Sequence, residues 1–154
     1  PGERFGYIGV NPDIQDKKLL LDGFSMANRI LGFVNAPALM QYAVSESWKA
    51  KPDIARYRER RNMLVQVMDK AGIQYAKPEG AFYLFCKVPD TGRELGQVSS
   101  DVAFALFLKE HNILAVPGVG FGYPGYVRFS YCVPESVIDG VGPVLARAAE
   151  AWVV

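Results

Sequence analysis

Apolar and polar positions alternate with a period of two along Tyr126 to Cys132. Val127, Phe129 and Tyr131 fall on one face of the strand this predicts, and Tyr126, Arg128, Ser130 and Cys132 on the other. Elsewhere the spacing changes along the chain. Phe5 to Val10 is a short apolar run that fits a buried strand. Asn11-Pro12-Asp13 marks a turn with Asp13 as a helix cap, and Leu20, Phe24, Ala27 and Leu31 follow at helical spacing until Gly32. Asn35-Ala36-Pro37 predicts the next helix start, with Leu39, Met40, Ala43, Val44 and Ser47 on one face. Lys51-Pro52-Asp53 breaks that helix, and Asp53 is placed to cap a third one reaching about Ala71.

From Gly72 the elements shorten. Ile73 to Ala76 and Ala81 to Val88 are expected strands around the Lys77-Pro78-Glu79-Gly80 turn, and Pro89 to Ser99 is a polar loop. A helix over Asp101 to Glu110 would bury Phe104, Phe107 and Leu108, and Ile113 to Val116 would be a short strand. After the Tyr126 strand, Pro134 opens a last helix with Ile138, Val141, Leu145, Ala148 and Trp152 on one side. The order β-β-α-β-β-α predicts a small α+β sheet covered by helices on one face.

Composition narrows the function classes. Half of the 154 residues are hydrophobic and 12% are aromatic, enough for a packed core. A formal net charge of +1 gives no strong field toward nucleic acid or acidic membranes, and no apolar run reaches transmembrane length. Arg56, Arg58, Arg60 and Arg61 crowd one helix, but Glu59 interrupts them, and a solvated, salt-bridged helix surface accounts for them. Cys86 and Cys132 lie far apart in predicted strands and fit small apolar side chains of a reducing compartment. His111, the single histidine, has no cysteine cluster to build a metal site with, and its position near a helix C-terminus suits the dipole. Glu79 and Asp101 sit at turn and cap positions that explain them without chemistry.

Two arginines stand out. A guanidinium in mid-strand, as at Arg128, is costly unless it is paired or faces an anion, and its planar fork matches a carboxylate at both oxygens. Arg4 flanks the first apolar run. The glycine loop before Arg128 contains Gly120-Phe121-Gly122-Tyr123-Pro124-Gly125, which matches G-x-G-x-x-G. A dinucleotide site needs a helix directly after such glycines, and here a proline and a strand follow, so that site is excluded.

Several motifs occur in order: Pro1-Gly-Glu-Arg-Phe-Gly-Tyr-Ile-Gly-Val10, Asn35-Ala-Pro37 with Gln41-Tyr-Ala43, Arg60-Arg61, Lys77-Pro-Glu-Gly-Ala-Phe-Tyr83, Val116-Pro-Gly118 and Tyr126-Val-Arg-Phe-Ser130. Together this series closely resembles the C-terminal part of class I/II aminotransferases, the aspartate-aminotransferase-like enzymes of fold type I that use pyridoxal phosphate. The resemblance implies that Arg4 binds the cofactor phosphate and that Arg128 grips the substrate α-carboxylate. It places Asn35 near the active site at a dimer interface, and makes Phe82 and Tyr83 an aromatic pair on a core strand. It also implies a division of the chain. Residues 1–35 would be a remnant of the large cofactor domain, contributing a strand and a helix, 36–71 would be bridging helices, and 72–154 would be the small domain. The fold class expected is therefore α/β to α+β.

In that family the Schiff-base lysine lies just upstream of Pro-Gly-Glu-Arg, and none of the lysines here matches it. The expectation is a piece of a cytoplasmic, homodimeric aminotransferase acting on an amino acid and a 2-oxo acid, with no catalytic residue of its own and inactive alone. It would bind neither nucleic acid nor membrane. The alternative is a ligand-sensing aminotransferase-like domain of a transcription regulator, which would need a DNA-binding module elsewhere.

Overall fold

A computed structural model describes residues 4–91 and 95–154. The start of the Pro1-Gly-Glu-Arg motif and part of the polar loop expected at Pro89 to Ser99 lie outside them. The chain divides into two compact units, Pro1–Pro52 and Asp53–Val154.

Among its described residues the first unit holds two helices, α1 (Lys17–Ile30) and α2 (Ala38–Ser47). The strand expected over Phe5 to Val10 is not formed. A strand exists only through a partner's backbone groups, and no described segment pairs with this one. Asp13 is not the helix cap either. Its amide is taken by the Asn11 side chain at 3.0 Å, an Asx-turn that delays the helix. Asp16 then leads into α1 in left-handed backbone, with φ 54° and no side-chain cap bond. Gly32, at φ 82°, ends the helix as expected. Asn35 does not cap α2: Pro37 is the residue before it, and Asn35 is an exposed bend. No residue of α1 or α2 is buried.

The second unit is built differently. Asp53 caps α3 (Ile54–Lys70), its side chain accepting the Arg56 amide at 3.0 Å. Among the described residues three antiparallel strands follow in spatial order β1-β3-β2, where β1 is Tyr83–Lys87, β2 Val116–Pro117 and β3 Tyr126–Ser130. Between them run α4 (Ser100–Glu110) and a 3-10 turn at Gly118–Phe121, and α5 (Glu135–Val153) closes the chain. All four strands expected in this unit fall short of the apolar runs: Ala81 to Val88 is trimmed to Tyr83–Lys87, Tyr126 to Cys132 to Tyr126–Ser130 so that Cys132 lies beyond the strand, and the other two lose more. Ile73 to Ala76 is reduced to a single bridge, Tyr75 with Cys86, because Pro78 soon removes an amide donor. Ile113 is spent on ending α4, donating to Leu108 at 3.0 Å, so β2 starts at Val116 and its Pro117 confines it to the sheet edge.

Register fixes which side chains share a face. Leu84 opposes Phe129 and Cys86 opposes Val127, all four buried, while Phe85 and Val116 both oppose Arg128. The buried face meets Leu64 and Met68 of α3, Phe104 and Leu108 of α4, and Ile138, Leu145 and Trp152 of α5 in one core. The helices thus cover one side of the sheet, as the alternation in β3 predicts, and the other side keeps Arg128.

Neither cysteine is in a disulfide. Burial pushes the Cys86 thiol up to about 12, so it packs as a neutral apolar group. No helix among the described residues is long and apolar enough to cross a membrane.

Candidate functional site

The uncovered face of the small sheet is aromatic around Arg128, with Lys87 at the end of β1 on the same face. Arg128 sits at the centre of β3, opposite Phe85 on β1 and Val116 on β2. Its Cζ lies 4.0 Å from the centre of the Tyr83 ring and 4.2 Å from that of Phe121. Tyr83 comes from β1, and Phe121 from the 3-10 turn that the glycine loop makes before β3. Phe85 meets Phe121 edge-on at 5.8 Å, and Tyr123 packs on Tyr126 at 4.5 Å. Rings on both sides of a guanidinium attract it through their π faces, by about 0.5–2 kcal/mol per contact depending on desolvation. They leave its N–H edge as the group that must find an acceptor.

Among the described residues, no carboxylate forms an ion pair with Arg128. A half-buried, ring-flanked arginine without an internal anion is arranged to receive one from outside, since its fork accommodates two carboxylate oxygens at once.

The loop that carries Phe121 is tightly specified. Gly118 is buried, and a Cβ there would collide with the Tyr123 carbonyl oxygen and lie 2.7 Å from that of Tyr126. The turn closes through the Tyr123 amide to the Gly118 carbonyl at 3.0 Å, with Gly122 at φ 70°. On its inner side the Val119 amide donates to Oδ2 of Asp101 at 2.7 Å. Asp101 is 0% exposed, and its Oδ1 has no hydrogen-bond partner. Burial pushes this carboxyl up, but the Val119 amide and further hydrogen bonds outweigh it and hold it below its ordinary value. The sequence reading of Asp101 as a plain cap residue is therefore incomplete: it lies in the first turn of α4 but is directed at the glycine loop.

Tyr83 is supported from the other direction. It packs on Phe82 at 4.5 Å, and Phe82 meets Tyr57 of α3 at 6.4 Å. The Tyr57 hydroxyl reaches the Cys132 sulfur at 3.6 Å. Just beyond, Glu135 at the start of α5 accepts from Nε of both Arg56 and Arg60, at 2.9 and 3.0 Å. Two of the clustered helix arginines thus brace α3 against α5, in keeping with a salt-bridged helix surface. Hydrogen bonds from these arginines hold the Glu135 carboxyl well below its ordinary value.

Of the three site residues expected from sequence, only Arg128 stands in a formed environment. Arg4 and Asn35 belong to the first unit, where both are exposed. Among the described residues Arg4 has no ion pair. The contribution of Phe121 was missed at the sequence level, since its approach to Arg128 depends on how the loop turns. The glycines around it were the available signal.

Comparison with known proteins follows the same line. The family described as Aminotransferase class I and II matches residues 1–141. Aromatic-amino-acid aminotransferase 2 of Thermococcus litoralis is 32% identical over 151 residues, covering 94% of this chain and 37% of that protein. A probable aspartate/prephenate aminotransferase of Aquifex aeolicus is 36% identical, over 91% of this chain and 36% of its own length. Among solved structures, an aminotransferase of Eubacterium rectale superposes with a TM-score of 0.77 at 36% identity, covering 99% of this chain and 36% of that one. Aspartate aminotransferase of Thermotoga maritima gives 0.67 at 25% identity, over 87% of this chain and 34% of its own. The chain thus spans little more than a third of the length of these relatives.

Proposed function

The chain belongs to the class I and II aminotransferase family, and we propose that the whole protein moves an amino group between an amino acid and a 2-oxo acid, with Arg128 holding the substrate α-carboxylate. One observation carries this reading: a guanidinium flanked by two rings on an open sheet face, with no carboxylate among the described residues paired to it. A bidentate grip at the carboxylate would fix one end of the amino acid and leave its α-carbon and amine free to reach the reacting centre. The same grip orients a 2-oxo acid, whose carboxylate is identical.

The family's cofactor is pyridoxal phosphate, which when bound supplies an aldehyde for the amine and an electron sink for the α-carbon. What this chain offers it is Arg4, an exposed guanidinium without an ion-pair partner among the described residues. That donor suits a phosphate at two oxygens. Residues 1–35 would belong to the cofactor domain and 36–71 would bridge, with α3 packed into the small domain formed by 72–154. Asn35 would lie beside the substrate at the interface of a homodimer, and the protein would work in the cytoplasm. Closure of the Arg128 face over substrate would exclude water and so strengthen the carboxylate contact.

The test is to purify the full-length protein with pyridoxal phosphate, reduce it with borohydride and map the modified lysine, then follow half-reactions on a panel of amino acids. Arg128→Leu is expected to lower kcat/KM by about 10²- to 10⁴-fold, the loss of a charge-paired contact worth roughly 3–5 kcal/mol. Unchanged kcat/KM would remove Arg128 from the site, and a folded protein that fixes no cofactor would end the aminotransferase reading.

A further inference from the structure

The carboxylate of Asp101 is an anomaly in the core. It is 0% exposed, one oxygen has no partner, and it faces no arginine or lysine in an ion pair among the described residues. A buried charge with a free oxygen is expensive, and an apolar side chain of the same size would pack more cheaply. Its shortest hydrogen bond is the 2.7 Å one from the Val119 amide, and the Ser99 side chain and the Gly125 amide add to it in favouring the charged form. Val119 is the second residue of the 3-10 turn, and Phe121, two residues on, is the ring at 4.2 Å from Arg128. Gly118 directly before it is pressed against the carbonyls of Tyr123 and Tyr126. The turn is therefore held at one end by close backbone packing and at its middle by Asp101.

We propose that Asp101 is a positioning residue for Arg128: by fixing the Val119 amide it keeps Phe121 against the guanidinium and so sets the direction in which the fork points. The carboxylate is suited to this task because a charged acceptor makes a shorter and stronger bond to an amide than a neutral one. Freed from it, the turn keeps its own backbone bonds, Gly122 to Val119 and Tyr123 to Gly118, but loses its tie from Val119 to α4. Phe121 then loses its place, and Arg128 keeps one ring, Tyr83, instead of two. The guanidinium still binds an anion but must be ordered by it, which weakens binding rather than abolishing it. This inference rests on the reading of Arg128 as the carboxylate grip, and its test separates the two.

The full-length protein loaded with cofactor would be titrated calorimetrically with 4-methylpentanoate, a plain monocarboxylate, in six forms: wild type, Arg128→Lys, Asp101→Ala, Asp101→Asn, Phe121→Leu and the Asp101→Ala/Phe121→Leu double variant. In parallel, labelled arginine would report the side-chain shifts of Arg128, identified by their loss in Arg128→Lys and moved upfield by the flanking rings. Asp101→Ala and Phe121→Leu are each expected to weaken the carboxylate about ten-fold, to raise KM more than they lower kcat, and to move the Arg128 shifts toward those of a free arginine. The Asp101→Ala/Phe121→Leu double variant should lose no more than the worse single one, because both act on one contact. Asp101→Asn keeps an acceptor for Val119 and should recover most of the affinity.

A lowered Tm in Asp101→Ala with unchanged Arg128 shifts and unchanged affinity would make the residue merely structural and overturn the proposal, as would losses that multiply in the double variant. If Asp101→Ala does not fold, Phe121→Leu decides alone: no loss of affinity sinks the idea. Should Arg128→Lys leave affinity untouched, the carboxylate reading falls, while the Arg128 shifts in Asp101→Ala still judge whether Asp101 positions the side chain.

Discussion

The two units of the chain answer the same question, how to bury apolar surface, in opposite ways. Asp53–Val154 gathers three helices and a sheet around Met68, Phe104, Leu108, Leu145 and their neighbours. Pro1–Pro52 is nearly as apolar in sequence, with 24 hydrophobic residues in 52 against 53 in 102, yet every buried residue among those described lies outside it. Tyr7 is 91% exposed and Leu39 77%. The difference is one of partners rather than hydrophobicity. Strands in the second unit pair with each other within the unit, and each helix there has an apolar face with another element against it. The first unit has helical periodicity without a facing surface of its own, and most helical stability in proteins comes from such packing.

The sharpest way to break this contrast is to delete one large side chain from each unit. Phe104→Ala removes a ring that is fully buried and packs on Trp152 at 5.0 Å. It is expected to cost about 3–5 kcal/mol in denaturant unfolding. Leu39→Ala removes a side chain already in water, and its effect on unfolding of the second unit should stay within about 0.5 kcal/mol. Amide exchange gives the same comparison without mutation: α4 and α5 should exchange only on global unfolding, and α1 by local opening. Similar losses from both substitutions would show that the first unit carries a core of its own.

This contrast also marks how far the sequence could be read. Local rules sufficed where a residue's neighbours along the chain determine its state. Asp53 caps α3, Gly32 ends α1, and the period-two pattern of β3 puts Val127 and Phe129 inward with Arg128 outward. They failed where the partner is remote. Phe5 to Val10 has the composition of a strand, but composition does not supply a pairing edge. Ile73 to Ala76 keeps one bridge instead of a ladder. At the candidate site, Arg128 was legible because a charge in a strand is itself anomalous. Phe121 and Asp101 were not, because each takes its role from contacts across the fold, over the 3-10 turn to Arg128 and from α4 to Val119.

Within the second unit, Gly118→Ala tests whether the open face depends on the same close packing as the core. The added methyl meets two backbone carbonyl oxygens, which cannot rotate away as a side chain would. Overpacking of this kind costs about 1–3 kcal/mol. The strain falls on the turn that carries Phe121, so carboxylate affinity should drop along with stability. Glycine-to-alanine at Gly120, where nothing lies within 4 Å of an added Cβ, is the control and should change neither by much. If the two variants behave alike, the turn is looser than its geometry indicates.

A smaller effect is expected from acid. The Glu135 carboxyl ordinarily titrates near 4.5, and the hydrogen bonds from Arg56 and Arg60 hold it lower in the folded chain. A depressed folded value means that the clamp contributes above the unfolded value and is lost as pH falls through the folded one. Arg60 is only 15% exposed on its side chain, whereas Arg56 is well solvated, so Arg60 should account for most of the coupling and Arg56 for little. Stability of the wild type should decline below about pH 4.5, and Glu135→Gln should flatten that part of the profile while leaving the first unit unaffected. A profile unchanged by Glu135→Gln would mean that α3 and α5 are held by their apolar contacts alone.

The smallest expected change lies at Ala81, the one residue before the Phe82–Tyr83 pair. Its φ of 57° is left-handed, a conformation that costs a residue with a Cβ about 1 kcal/mol. The Tyr131 hydroxyl holds it there by donating to the Ala81 carbonyl at 2.9 Å, and the Tyr131 amide donates to Phe82 at 3.0 Å. Ala81→Gly relieves the strain but widens the unfolded ensemble, so the net gain should be no more than a few tenths of a kcal/mol. Tyr131→Phe tests the same anchor from the other side. It removes the donor and leaves the Ala81 carbonyl without it, a loss of about 1 kcal/mol. With Ala81→Gly in place, the loss from Tyr131→Phe should shrink, because a glycine needs less holding in that backbone. If the two substitutions are instead additive in a double-mutant cycle, the hydroxyl steadies the strand and not the turn, and Tyr83 owes its position beside Arg128 to the β1–β3 ladder alone.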